Sequence, residues 1–170
     1  MIIKISNLCD GEHNFSYNEP VKKIGLGEPF FDNFLLNLDL QKSNSQIVLD
    51  SELVLKAKFN CDKCSELFET EIKTNYQIIY LFGTEPEETE SVNVKYLAYD
   101  AEKIDISQDL LDYAMISVPM RKLCNEECKG LCYKCGANLN ISKCECKNDE
   151  VDARWLPLME LKNKLNNNNN

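Results

Sequence analysis

Histidine occurs once, at position 13. That scarcity removes the catalytic constellations that need more imidazole than His13 alone could supply, the His-dependent triad and the Cys–His pair among them. Catalytic zinc is disfavoured on similar grounds, because it keeps an open coordination position and usually recruits His or Glu. Basic charge is also short: 19 Lys and Arg stand against 28 Asp and Glu, for a net charge of −9. That balance disfavours a strongly basic, electrostatically driven nucleic-acid binder. No apolar run approaches the roughly 18 residues that a membrane-spanning helix needs. The start, Met1-Ile2-Ile3-Lys4-Ile5-Ser6-Asn7, breaks off after a few apolar positions and does not read as a signal peptide, so the expectation is a soluble, cytoplasmic protein. Gly25-Leu26-Gly27 has no strand-to-helix context and no following Lys-Ser/Thr, and reads as a turn rather than a phosphate loop.

Apolar residues make up 44% of the 170, enough for one compact domain or a body with a small appendage. From Asn33 to Phe82 they alternate with polar ones: Phe34, Leu36, Leu38 and Leu40, then Ile47 and Leu49, Leu53 and Leu55, and finally Ile72, Tyr76, Ile78 and Tyr80. This period of two predicts antiparallel strands, with a polar turn at Lys42-Ser43-Asn44-Ser45 and an interruption at Asn60–Ser65 that holds Cys61-x-x-Cys64 at a hairpin tip. Between 85 and 112 nine acids face Lys95 and Lys103 alone. The segment Glu85-Pro86-Glu87-Glu88-Thr89-Glu90 reads as an exposed loop, either a solvated face or an acidic surface for a basic partner.

A short strand is expected at Val94 to Tyr99. An amphipathic helix at about 107–118 follows, with Leu110, Leu111, Ala114, Met115 and Val118 on one face, Asp105 or Ser107 capping its start and Pro119 stopping it. A short C-terminal helix is predicted from Pro157, with Leu158, Leu161 and Leu165 on one face, and Asn166–Asn170 should be disordered. The fold class is α+β: an antiparallel β-rich body over 1–120 with its knuckle at 61–64, a cysteine-rich zinc-binding segment and short helix over 121–165, and a tail over 166–170.

Nine cysteines in this length amount to about 5%, below the ~8–10% of a secreted disulfide scaffold, and the count is odd. In a reducing compartment, clustered cysteines are metal ligands or redox centres more often than bridges. Six fall between Cys124 and Cys146. Cys132-Tyr133-Lys134-Cys135-Gly136 lets two thiolates of a tight turn point at one ion, the glycine supplying the backbone angles; Cys144-Glu145-Cys146 closes the tetrahedron. Zinc is the default ion for four thiolates, and an iron–sulfur cluster is the other reading of the same ligand set.

Cys61, Cys64, Cys124 and Cys128 leave a second set of four, which would staple the tail to the β body. The rival is one site drawing on a different four, for example Cys128 with Cys132 and Cys135, the remaining thiols being buried. Cys9 has no close partner and is expected in the core. A thioredoxin-type role is disfavoured because these pairs sit in turns of antiparallel or irregular chain, away from a helix N-terminus. Residues 121–165 hold nine basic residues against seven acids. That margin leaves Tyr133 and Trp155 either as stacking groups for RNA or, the reading favoured here, as covers for the metal site.

The run Cys124-Asn-Glu-Glu-Cys128-Lys-Gly-Leu-Cys132-Tyr-Lys-Cys135-Gly-Ala-Asn-Leu-Asn140, then Cys144-Glu-Cys146 and Val151-Asp-Ala-Arg-Trp-Leu-Pro-Leu158, resembles the C-terminal signature of the YceD-like family. Cys61-Asp-Lys-Cys64 after an alternating strand and a proline-terminated helix before Cys124 match the order found there, so the resemblance spans roughly Asn33 to Leu165. Tyr133 occupies a place where that family often has proline, and Ala153 stands where Asp-Pro-Arg is usual; neither change removes a ligand.

The resemblance implies ribosome assembly, since these bacterial and plastid proteins are implicated in accumulation of large-subunit ribosomal RNA, and it brings no catalytic residues with it. The resulting expectation is a non-catalytic ribosome-biogenesis factor with one or two structural zinc ions. It would bind a basic large-subunit ribosomal protein or pre-ribosomal particle, with no membrane and no small-molecule substrate. The alternatives are direct rRNA contact through the C-terminal lysines, a zinc-ribbon adaptor unconnected to ribosomes, and a thiol-disulfide oxidoreductase.

Overall fold

Along Gln46–Asn60 every second side chain, from Ile47 through Leu49, Ser51, Leu53, Leu55 and Ala57 to Phe59, is buried, while the residues between them face outward. A strand with one buried face needs partners on both edges, and it has them in the computed structural model of the chain, which describes residues 1–84, 91–146, 153–158 and 161–162. In chain order the strands are β1 (Ile2–Lys4), β2 (Gly11–Pro20), β3 (Phe30–Lys42), β4 (Gln46–Asn60), β5 (Leu67–Phe82), β6 (Val94–Leu97) and β7 (Lys103–Asp105); helix α1 (Ser107–Ile116) follows. Five strands form one sheet in the order β2-β3-β4-β5-β6, and β1 pairs with β7 in a separate two-stranded ribbon. The chain divides into two units, Met1–Cys128 and Lys129–Asn170.

The hairpin registers follow the alternation. Leu36 lies opposite Leu53 and Leu40 opposite Leu49 across β3 and β4; Leu49 lies opposite Ile78 and Ile47 opposite Tyr80 across β4 and β5. This inner face is closed by Ile3 and Ile104 of the ribbon, by Val21 and Ile24 of a single 3-10 turn, and by Leu110 and Ala114 of α1. The outer face carries Asn37, Asp39, Asp50, Glu52, Asn75 and Gln77, with Gln77 Nε2 donating to Asp50 Oδ1 at 2.7 Å.

Several expectations are corrected. The sheet is mixed, because β6 runs parallel to the end of β5, with Val94 alongside Ile79. Strands begin well before Asn33: β2 pairs with β3 along its whole length, but as an edge strand it shows only Phe15 and Tyr17 as large apolar residues, too few to mark it. On α1, Leu110 and Ala114 are buried, whereas Met115 is 57% exposed and Asp109 takes a core position instead. Cys9 is exposed, its carbonyl hydrogen-bonded to His13 Nε2 at 2.8 Å, and is not a core residue. The acidic stretch 85–90, Leu165 and the tail 166–170 lie outside the described residues. Near the C terminus Ala153–Trp155 forms a 3-10 turn and helical conformation begins at Leu156, one residue ahead of Pro157; Leu156, Leu158 and Leu161 are exposed.

Two stability tests follow from this packing. Leu53→Ala should cost about 2–5 kcal/mol in denaturant unfolding, since Leu53 is fully buried at the sheet centre, while Met115→Ala should change stability by less than about 0.5 kcal/mol. The start of α1 is held by Asp105, whose Oδ1 accepts from Ser107 Oγ at 2.6 Å and Ser107 N at 2.9 Å; these bonds hold its carboxyl well below the ordinary value of 3.8. The unfolded chain therefore takes up this proton first as the pH falls, and the stabilisation is present above about pH 3.8 and lost below it. Asp105→Asn should lower the melting temperature at pH 7, and the gap from the unaltered protein should close as thermal scans move to pH 3 and below.

Candidate metal centres

β4 and β5 form a long hairpin, and the turn at its tip carries Cys61 and Cys64. That turn has a defined backbone. Cys61 N donates to Glu66 O at 2.9 Å, Ser65 N donates to Cys61 O at 2.8 Å, and Ser65 sits at φ 60°. The second Cys-x-x-Cys repeats the arrangement residue for residue. Cys132 N donates to Ala137 O at 2.8 Å, Gly136 N donates to Cys132 O at 2.8 Å, and Gly136 sits at φ 74°. In such a turn the free N–H groups point inward at the first sulfur, and the left-handed residue turns the chain away after the second. Ser65 takes the role that glycine plays in the other turn, and nothing in its residue type signalled that.

Two sets of four sulfurs result. Cys61, Cys64, Cys124 and Cys128 have their Sγ atoms all within 4.8 Å of one another, as do Cys132, Cys135, Cys144 and Cys146. In the first set Cys61 and Cys128 sulfurs are 3.8 Å apart and Cys64 and Cys124 sulfurs 3.6 Å apart. A disulfide requires about 2.05 Å. Four thiolates at about 2.3 Å from a tetrahedral zinc stand about 3.8 Å from each other, so the first cluster has the dimensions of one mononuclear site. Cys128 belongs with Cys61 and not with Cys132 and Cys135.

The segment that brings Cys124 and Cys128 to the hairpin is tied to it by backbone. Asp62 N donates to Lys122 O at 2.8 Å and Lys122 N donates to Asp62 Oδ2 at 2.7 Å. Lys63 Nζ adds a bond to Cys128 O at 2.9 Å. Phe68 and Leu123 pack against the buried sulfurs, and Phe59 stacks obliquely on Phe68 at 6.2 Å. Cys61, Cys64 and Cys128 are buried and Cys124 exposed.

The second cluster is built within Lys129–Asn170. Asn138 and Asn140 knit its loop: Asn140 Oδ1 accepts from Lys129 N at 2.8 Å, and Asn138 Oδ1 accepts from Asn140 N at 3.0 Å. Leu139 N donates to Gly130 O at 2.9 Å, closing the loop. Here only Cys132 is buried, Cys144 and Cys146 are half-buried and Cys135 is exposed. Tyr133 and Trp155, which the sequence suggested as covers for the metal site, stand 76% and 58% exposed.

Proton affinities within each set diverge. The Cys124 amide, followed by the Cys64 and Lys63 amides, aims at Cys61 and brings it down to about 6, against an opposing push from burial. Cys124 is pushed up to about 12 by the protein packed round its sulfur and by the neighbouring sulfurs. The Glu66 amide pulls Cys64 down, but burial and Cys61 outweigh it and the thiol lies above the ordinary range. In the second set the Cys135 and Lys134 amides bring Cys132 to about 6, and the Cys135 sulfur first, then burial, pushes Cys146 up to about 12. In the first cluster Cys61 is therefore the readiest to ionise while Cys64 and Cys124 resist it, and in the second Cys132 ionises ahead of Cys146. Both sets can hold a metal ion.

The sequence matches, over residues 49–162, the family described as Large ribosomal RNA subunit accumulation protein YceD. It is similar to the Large ribosomal RNA subunit accumulation protein YCED homolog 1, chloroplastic, of Arabidopsis thaliana, with 24% identity over 156 residues covering 76% of this chain and 49% of that protein. The Zea mays protein of the same description is 47% identical over 52 residues, 30% of this chain and 18% of that one. An uncharacterized protein of Mycobacterium leprae is 26% identical over 130 residues, 74% of this chain and 58% of its own. The chain thus spans about half the length, or less, of the plant relatives it matches. No solved structure matches. The family match starts in β4, takes in the hairpin and α1, and runs through all eight clustered cysteines over more than half of the chain; the protein belongs to the YceD family.

Proposed function

We propose that this protein is a non-catalytic ribosome-biogenesis factor that supports accumulation of large-subunit ribosomal RNA by binding a basic large-subunit ribosomal protein or a pre-ribosomal particle, its two four-cysteine sites each filled by structural zinc. The observation that carries the reading is the family match running through both sulfur clusters. Zinc is favoured because the sulfur separations suit one tetrahedral ion, whereas an iron–sulfur cluster spreads its thiolates over several irons. Cys61, Cys64, Cys124 and Cys128 would hold the first ion, and Cys132, Cys135, Cys144 and Cys146 the second. With every ligand position taken by sulfur, such an ion has no open position for substrate, so its contribution is shape.

The charge excess of the chain supports a basic partner. Direct contact with rRNA is the second reading, favoured by the exposure of Tyr133, Trp155 and Arg154, two rings and a cation of the type that stack on unpaired bases.

Metal analysis of protein purified without chelator should give two zinc ions per chain, with Cys64→Ser and Cys132→Ser each removing one. The second cluster, with a single buried sulfur against three in the first, should release its ion first to a competing chelator, read as two phases of metal transfer. One ion per chain, or none, would refute the two-site arrangement.

Depleting the protein should lower large-subunit rRNA relative to small-subunit rRNA. A tagged chain recovered from nuclease-treated lysate should retain a large-subunit protein. Loss of association on nuclease treatment, with direct binding to purified rRNA, would instead select the second reading.

A further inference from the structure

β2 ends the five-stranded sheet, and its ladder with β3 runs from Gly11–Lys42 to Pro20–Asn33 without a register shift. Edge strands that stay single commonly carry a bulge, a lysine or an interior proline. β2 has none of these, its one proline closing the strand. The pairing phase says which of its backbone groups are unused. Ser43 N donates to Gln46 O and Lys58 N to Pro29 O, so the even-numbered residues of β4 bond toward β3. Their opposites Asn37, Asp39 and Gln41 are spent on β4, which leaves Leu36, Leu38 and Leu40 to bond with Tyr17, Phe15 and His13. The amides and carbonyls of Glu12, Asn14, Ser16 and Asn18 therefore point away from the sheet, and none has a backbone partner among the described residues.

We infer that this edge pairs with the same edge of a second copy of the chain, antiparallel about a two-fold axis through Ser16. The strand is its own complement about that point, reading Asn14-Phe15-Ser16-Tyr17-Asn18. In this register Ser16 lies opposite Ser16 and Asn14 opposite Asn18, so the outward-pointing residues are the ones that form hydrogen-bonded pairs. Between them Phe15 lies opposite Tyr17 and His13 opposite Glu19, in the closer pairs where side chains touch. Charge is complementary as well. Each His13 meets a Glu19, each Glu12 meets Pro20, and no acid of β2 faces another acid. The axis stands normal to the sheet and keeps both inner faces on one side, so the half-buried Phe15 and Tyr17, stacked at 6.5 Å in one chain, meet their counterparts in a cluster of four rings. A strand of unrelated sequence could use the same backbone groups, but only a second copy matches the dyad in hydrogen bonds, rings and charge together. β2 precedes residues 49–162 that carry the family match, and the inference depends neither on the ribosomal reading nor on a bound metal.

The test measures the mass of the full chain, purified without chelator, by sedimentation equilibrium, with thermal unfolding followed over a range of concentrations. The unaltered protein should have twice the mass of one chain, and its melting temperature should rise with concentration. Ser16→Pro removes the N–H at the axis from both copies, at a position where an edge strand tolerates proline, and should weaken the dimer at least about tenfold while the far-ultraviolet dichroism keeps its β form. Two further variants read the register. Asn14→Glu with Asn18→Glu sets acid against acid twice across the axis and should dissociate the dimer, whereas Asn14→Glu with Asn18→Lys sets acid against base at the same two places and should keep it.

A chain that stays monomeric up to about 100 μM overturns the inference. So does a dimer that survives both Ser16→Pro and the Glu–Glu pair, because its contact then lies elsewhere, and so does equal association of the Glu–Glu and Glu–Lys variants. Should Ser16→Pro fail to fold, the two charge variants, which leave the backbone groups of the edge in place, decide alone. None of these outcomes bears on the ribosomal reading, which stands or falls by its own test.

Discussion

Four thiols gathered within 4.8 Å can all lose their protons only when something positive sits among them. Sulfurs 3.6 Å to 3.8 Å apart cannot all ionise without a cation; backbone amides aimed at Cys61 draw it down to about 6, while burial first and then the neighbouring sulfurs push Cys124 up to about 12. A divalent cation reverses the sign of the problem, converting mutual repulsion into attraction to a common centre. The first cluster joins two stretches of chain more than fifty residues apart in sequence, the tip of the β4–β5 hairpin and the segment after α1. The loop it closes contains β5, β6, β7 and α1, so the ion would act on the body as a crosslink.

The hairpin explains why the crosslink can sit where it does. β4 and β5 pair continuously from Gln46–Leu81 to Asn60–Leu67, and Phe59 and Phe68 near the tip link the body's hydrophobic cluster to the buried sulfurs. A hairpin of that length extends a stiff support, and its tip is a poor place for an isolated tight turn unless the turn is itself held. Asp62 and Lys63 meet that need with bonds to Lys122 and Cys128. The polar residues between the two cysteines are thus part of the joint as much as the sulfurs are.

Much of this was legible in the chain. Alternation named the buried faces of β3, β4 and β5, and the Cys-x-x-Cys interruption marked the hairpin tip, because a period of two in a half-buried strand leaves little choice. The pairing of Cys61 and Cys64 with Cys124 and Cys128 was reached by elimination among cysteine pairs, and the structure brings those four sulfurs together. Three features escaped. β2 is an edge strand with polar residues on both faces, so its period carries little apolar signal. Asp109 took a core position on α1 that hydrophobic counting would deny to an acid, because Lys95 on β6 stands opposite, a contact that only tertiary structure creates. The exposure of Tyr133 and Trp155 was hidden for a simpler reason: type alone says that aromatic side chains tend inward, and a segment whose described residues are almost all exposed leaves them outside.

That last point separates the two units. Met1–Cys128 has a hydrophobic cluster running through the sheet, ribbon and helix, and could keep much of its structure without an ion. Among the described residues of Lys129–Asn170, only Gly130 and Cys132 are buried. Its order comes from the Asn138 and Asn140 bonds, the Leu131–Asn138 bridge and the meeting of four sulfurs. Backbone ordering costs about 1–2 kcal/mol per residue, far more than a few net hydrogen bonds return, whereas a structural zinc site contributes on the order of 10 kcal/mol. The same four-sulfur geometry therefore does different work in the two places, reinforcing a body that has its own core and supplying the core where there is none. If the second set holds the proposed zinc, a surface built in this way exists only while that ion is bound, and a partner that reads Tyr133, Trp155 or the flanking lysines would read the metal-loaded state.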